Sequence, residues 1–169
     1  MAALKILAAD IGGTNARFAE VAVNGLSSVT MSKPVVFPTW SETIDSFDRL
    51  LDHYREFRPA GMPTPEECDA LAIGIAGAVS GRRATLPNIA WDIDLSVSRP
   101  VANIFLLNDF YAQAHAYLDE TVFDRLQLVR PGPGAGRGSV AIVGAGTGLG
   151  HAALKAVRGE RIVIGSENG

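Results

Sequence analysis

Two glycine-rich turns and one Asn-Asp pair are the places in this 169-residue chain where residue type and spacing could do chemistry. Asp10-Ile11-Gly12-Gly13-Thr14-Asn15 sets a carboxylate at the mouth of a turn with two glycines, and Gly144-Ala145-Gly146-Thr147-Gly148-Leu149-Gly150 carries glycine at every second position. Where β-carbons are missing, phosphate oxygens can approach backbone N–H groups closely, so both turns are candidate phosphate loops. Asp10 is placed to hold Mg²⁺ through water, because this ion takes one or two carboxylates and completes its shell with phosphates and waters. In the plainer reading, Asp10 and Asn15 only hydrogen-bond the backbone of a hairpin turn. Asn108-Asp109 end the apolar run from Asn103 to Leu107, at the strand edge where open α/β sheets place ligands. The competing reading makes Asp109 the N-cap of the next helix.

Several other chemistries are excluded. The dinucleotide fingerprint G-x-G-x-x-G fails at 144–150, because Leu149 stands three residues after Gly146 and His151 three after Gly148. The following HAALKAV reads as a strand rather than the helix that motif needs. A Walker A loop is ruled out, since none of Lys5, Lys33 and Lys155 follows a glycine. One cysteine and three histidines show no zinc-site spacing, and the single Cys68 allows no intramolecular disulfide, which fits a reducing cytoplasm. A formal charge of −3 provides no long-range attraction to nucleic acid or anionic lipid, so neither is expected as a partner and small molecules are. Residues 1–124 carry nine basic and sixteen acidic groups, whereas 125–169 carry six and two, so the glycine-rich end is the basic one. No run approaches the roughly 18 apolar residues of a membrane span, and the N-terminal MAALKILAADIGG reads as a strand rather than a secretion signal.

At 47% hydrophobic residues and a mean hydropathy of +0.17, the chain can bury a core of ordinary domain size. Leu4 to Ala9 reads as a buried strand running into the first turn, and Arg17 to Val23 as its hairpin partner. A third strand is expected at Val35 to Phe37. Thr39 followed by Glu42 is a capping-box pattern that predicts a helix start, with Ile44, Phe47, Leu50, Leu51, Tyr54 and Phe57 on one apolar face and Pro59-Ala60-Gly61 as the stop. Ala70 to Ala76 reads as a strand, followed by a hairpin tip at 77–81 that runs on to Leu86. Asn103 to Leu107 is a further strand, then a helix from about Phe110 to Leu118 and a short segment at Leu126 to Val129. The loop PGPGAGRG at 131–138 precedes strands at Ser139 to Val143, His151 to Val157 and Arg161 to Ile164. Strands and helices in this order predict an α/β domain with a mixed sheet and flanking helices.

DIGGTNAR at 10–17, LLNDF at 106–110, GAGTGLG at 144–150 and GSENG at 165–169, in this order, resemble the bacterial glucokinase family within the actin/hexokinase-type sugar-kinase superfamily. The resemblance implies a ribonuclease H-like fold, with residues 1–169 as the N-terminal α/β domain of a two-domain sugar kinase whose second domain, after Gly169, is absent here. It implies ATP-dependent phosphorylation of glucose at the 6-hydroxyl to glucose 6-phosphate, the first step of glycolysis, with ATP and Mg²⁺, in a cytoplasmic protein that is a homodimer at full length. The 169 residues alone are expected to be inactive. On the same resemblance, Asp10, Ile11, Gly12, Gly13, Thr14 and Asn15 form the first nucleotide loop and Gly146, Thr147 and Gly148 the second. Asp109 is the catalytic base for the 6-hydroxyl, and Asn88 in LPNIAW, Asn108, Ser166 and Glu167 belong to the sugar site. Asn168 departs from the family's usual glycine and Pro87 from its threonine, and a sugar-contacting histidine would follow Gly169. A non-catalytic sugar-sensing domain, as in sugar-responsive repressors that share the DIGGT loop, is the alternative. A nuclease using Asp10 with Asp92, Asp94 or Asp109 for two metals is a third reading, weakened by the net charge and the two glycine loops.

Overall fold

The computed structural model describes residues 3–25, 28–98, 103–130, 138–145 and 149–166. It divides into two units, Met1–Leu107 and Asn108–Gly169.

In the first unit, β1 (Leu4–Ile11) pairs antiparallel with β2 (Asn15–Asn24), from Leu4 opposite Val23 to Ile11 opposite Ala16. β3 (Ser28–Met31) and β4 (Val35–Pro38) pair with opposite ends of β2. On the other side, β1 runs parallel to β5 (Ala70–Ile75), and β9 (Ile104–Asn108) completes the order β3-β2-β1-β5-β9. The sheet is therefore mixed, as the residue pattern predicts. Parallel neighbours need a crossover, and the chain between β4 and β5 includes α1 (Phe47–Phe57). Period-2 alternation in the strands turns Leu7, Ile11, Phe18, Leu71, Ile73 and Ile75 into a core that also takes Phe47, Leu50, Leu51 and Tyr54 of α1. The ring of Tyr54 stacks on Phe18 with centroids 4.5 Å apart, and its hydroxyl donates to the Pro63 carbonyl at 2.7 Å. Short strands β6 (Ala78–Ser80), β7 (Arg83–Thr85) and β8 (Ile93–Asp94) form a separate antiparallel ribbon. β9 is bracketed at its start by Asn103, which takes a positive φ of 54°, donates its side-chain amide to the Asp69 carbonyl at 2.9 Å and accepts the Leu71 amide at 3.1 Å.

In the second unit, α2 (Asp109–Ala116) packs on an antiparallel sheet of β10 (Val140–Ala145), β11 (Leu149–Val157) and β12 (Glu160–Ser166). Ala114, Ile142, Ala152 and Leu154 form its core, with Phe110, Tyr117, Val140 and Val163 packed around them. Arg158 and Gly159, at φ 51° and 90°, make the two-residue turn between β11 and β12, the conformation that matches strand twist.

Several expectations are corrected. The first helix starts at Phe47 and not at Thr39: Ser46 caps it by accepting the Arg49 amide, while Ser41 bridges to Ile44 in a tight turn. Phe57 ends the helix exposed, off the buried face. The second helix is Asp109–Ala116, two residues shorter than expected at its end, and a 3-10 turn at Glu120–Arg125 follows it. Leu126 to Val129 takes no regular structure, and Leu128 and Val129 are exposed. β3, Ser28-Val29-Thr30-Met31, is a strand not among those expected from the sequence; it alternates polar and apolar residues but leaves all four exposed. The PGPGAGRG loop lies outside the described residues except for Gly138.

Burial pushes the Tyr54 hydroxyl from 10.0 up to about 12. In the folded state the phenol resists ionisation while the unfolded chain ionises near 10, so its stabilisation is complete below pH 10 and is lost as pH rises toward 12. Tyr54→Phe is expected to cost about 1 kcal/mol at neutral pH through the lost hydrogen bond. Denaturant midpoints recorded from pH 9 to 12 should fall more steeply for the parent than for Tyr54→Phe; parallel curves would contradict the burial argument.

Candidate functional site

The turn between β1 and β2 is closed by its own backbone and clamped from outside. The Gly12 amide donates to the Asn15 carbonyl at 3.0 Å. Thr39, wholly buried just beyond β4, donates its hydroxyl to the Gly12 carbonyl at 2.9 Å and its amide to the Thr14 carbonyl at 3.1 Å. Thr39 reaches this position because β4 pairs with the start of β2, Pro38 lying opposite Asn15. The carbonyls of Gly12, Thr14 and Asn15 are thus all engaged within the protein. Among the described residues, neither the Gly13 nor the Thr14 amide meets a protein acceptor, so these two are the donors a phosphate could use. Ile11, by contrast, serves the sheet: its side chain is in the core and its carbonyl accepts the Ala76 amide at 3.2 Å.

Gly13 must be glycine for a packing reason too. A β-carbon there would lie 2.6 Å from the β-carbon of Asn88, so the turn and the LPNIAW segment meet at this point. Two predicted site residues far apart in the chain are thereby brought together. Gly13, Trp40, Pro87, Asn88, Ile89 and Ala90 border a hollow of about 330 Å³.

Asp10, next to last in β1, lies opposite Arg17, and its Oδ2 accepts from Arg17 Nη1 at 3.1 Å with both side chains half-exposed. The hairpin-turn reading, in which it bonds local backbone, gives way to this cross-strand ion pair. Such a pair is worth about 0–1 kcal/mol and is readily exchanged for another cation. One exposed carboxylate suits Mg²⁺ that arrives already bound to phosphates, not a metal held by protein alone. Among the described residues, no group of three or more His, Cys, Asp or Glu side chains could hold a metal.

In the second unit, Asn108 is the helix cap: its Oδ1 accepts the Tyr111 amide at 3.0 Å. This corrects the N-cap reading of Asp109, which is the first helical residue and accepts its neighbour's amide, Phe110 N–H, on Oδ1 at 2.8 Å. A β-carbon on Gly165 would come within 3.1 Å of Tyr111, so the end of β12, with Ser166 as its last residue, packs against the first turn of the helix that Asn108 and Asp109 open. Gly146, Thr147, Gly148 and Glu167 lie outside the described residues. The glycines flanking the second loop have another duty. Gly144 and Gly150 pair across β10 and β11, and a β-carbon on either would run into the ring of Phe110.

The carboxylates offered for a two-metal nuclease are spent on local structure. Asp92 accepts the Leu86 amide at 3.2 Å. Asp94 takes the Ser96 hydroxyl and amide and pairs with Arg83 at 2.8 Å, and these contacts, Ser96 foremost, hold its carboxyl below the usual range. Sequence reasoning missed Thr39 as a clamp and Trp40 as a lining residue; the Thr-x-x-Glu spacing pointed to a helix cap instead.

The family model described as "Glucokinase" matches residues 7–169. The chain is 31% identical over 166 residues to a glucokinase of Caulobacter vibrioides, covering 96% of this chain and 47% of that protein. It is 32% identical over 174 residues to a glucokinase of Zymomonas mobilis, covering 98% and 50%. The crystal structure of a glucokinase from an Antarctic psychrotroph superposes with a TM-score of 0.65 at 25% identity, covering 98% of this chain and 50% of that one. The chain spans about half the length of the curated relatives it matches.

Thr39→Val keeps the shape and removes the hydroxyl, leaving the Gly12 carbonyl buried without its donor. The expected cost is about 1–3 kcal/mol, or roughly 2–4 °C in Tm per kcal/mol for a chain of this size. Thr39→Ser, which keeps the donor, should recover most of it. Thermal unfolding of the three proteins checks this, and an unchanged Tm in Thr39→Val would show that the hydroxyl does not hold the turn.

Proposed function

We propose that this chain, which belongs to the glucokinase family, is the N-terminal α/β domain of a two-domain, ribonuclease H-like kinase that transfers the γ-phosphoryl group of ATP to the 6-hydroxyl of glucose. The observation that carries the reading is the first turn: its carbonyls are drawn inward by Thr39 and by the Gly12 amide, which leaves Gly13 and Thr14 amides for phosphate oxygens beside Asn88.

In this mechanism the Gly13 and Thr14 amides, with the loop at Gly146 to Gly148, hold the phosphates and stabilise charge on the transferring group. Asn88, Asn108, Ser166 and Glu167 bind and orient the sugar. Asp109 accepts the proton of the 6-hydroxyl as that oxygen attacks the γ-phosphorus, the bond to the bridging oxygen breaks, and ADP leaves. The hydrogen bond from Phe110 N–H to Oδ1 fixes the carboxylate's orientation for this task. Asp10 would hold Mg²⁺ through water, the ion supplying charge neutralisation on the phosphates. The same proposal takes the full-length protein to be a cytoplasmic homodimer that acts on glucose and ATP, with neither nucleic acid nor membrane as a partner. Among the described residues, no helix is long and apolar enough to cross a membrane.

ADP release measured with the full-length protein, ATP, Mg²⁺ and glucose tests the reading, and sugar-independent ADP release would contradict it. Asp109→Asn keeps the shape and cannot take the proton, so kcat should fall by ~10²–10⁴ while glucose binding, followed by calorimetry, changes little. Turnover within about tenfold of the parent would remove Asp109 from the role of base.

A further inference from the structure

We infer that Trp40 is the aromatic wall of the sugar site, positioning the pyranose by packing the indole against its C–H face while Asn88 bonds its hydroxyls. The inference rests on the glucokinase reading and adds a residue to it.

Trp40 is a large apolar side chain left 57% exposed, yet its place is set by its neighbours. Thr39, immediately before it, is bonded twice to the glycine turn, and Ser41, immediately after it, is bonded to Thr43 and Ile44. The indole is therefore presented at the edge of the hollow by a fixed backbone. The hollow's size and lining decide what it takes. About 330 Å³ is at the small end of the ~300–1,000 Å³ range of ligand sites, room for one sugar ring. Its six lining residues include no cation that would answer a triphosphate's charge. They combine apolar walls, Trp40, Pro87, Ile89 and Ala90, with a single side chain that both donates and accepts, Asn88. A pyranose has this same division, hydroxyls around the rim and C–H bonds across a face, and an aromatic ring offers the face a large, rigid contact at little entropic cost. Gly13 sets the spacing, because any side chain there would push Asn88 away.

The test uses the full-length protein with glucose and ATP as the probes. Trp40→Ala should raise KM for glucose roughly 3- to 12-fold, in the range of a lost aromatic contact, with KM for ATP within about twofold; Trp40→Phe should restore most of the glucose affinity. Glucose alone should change the tryptophan emission of the parent more than that of Trp40→Phe, which within these 169 residues keeps only the buried Trp91. An unchanged glucose KM in Trp40→Ala, a rise in the ATP KM instead, or an emission change of the same size in Trp40→Phe as in the parent would overturn the assignment while leaving glucose-dependent ADP release, and with it the proposed function, intact. If the parent releases no ADP with glucose, the proposed function fails, and the emission titration still decides for or against sugar at Trp40.

Discussion

The structure of the candidate nucleotide loop depends on one buried hydroxyl. A turn that is to meet phosphate must send its amides outward, and its carbonyls then face a protein interior where an unpaired acceptor costs free energy. Thr39 meets that cost from a strand that is itself held by β2, giving its hydroxyl to Gly12 and its amide to Thr14. Without the pairing of β4 and β2 there is no donor for those carbonyls. Without the core beneath, where Phe18 and Phe37 meet Tyr54 of α1, β4 has no fixed place.

Glycine does two different jobs here. At Gly13 it leaves an amide accessible and at the same time lets Asn88 approach. At Gly77, where a β-carbon would strike the Thr85 carbonyl, and at Gly144 and Gly150, where it would strike Phe110, the reason is packing alone. The regular glycine spacing of 144–150 therefore combines two demands. Its outer members admit an aromatic ring between sheet and helix, and the family resemblance assigns its inner members to phosphate.

Asn108 and Asp109 show how a strand-to-helix junction divides labour between neighbours. The cap position needs a side-chain acceptor for the amide of the third helical residue, and Asn108 fills it. Asp109 is thereby relieved of capping and accepts the adjacent Phe110 amide at its Oδ1.

Much was legible from the chain alone because the signals are local. Alternation along Leu4 to Ile11 and along Ala70 to Ile75, the three-and-four spacing of Phe47, Leu50, Leu51 and Tyr54, and the glycines of the two turns all lie within a few residues of what they specify. They settled the mixed α/β sheet, the first hairpin and the placing of Asn108-Asp109 at a strand end. What the tertiary structure alone decided is which partner each polar or small residue serves. Thr39 has the spacing of a helix cap and bonds a turn 27 residues back, and Asp109 has the type of a cap and yields that role to its neighbour. Gly150 looks like part of a phosphate loop and makes room for Phe110. A hydrogen-bond donor or a missing β-carbon carries no mark of its partner in the sequence. Strand pairing chooses that partner by bringing distant segments into contact, and only then does the free energy of burial determine the role.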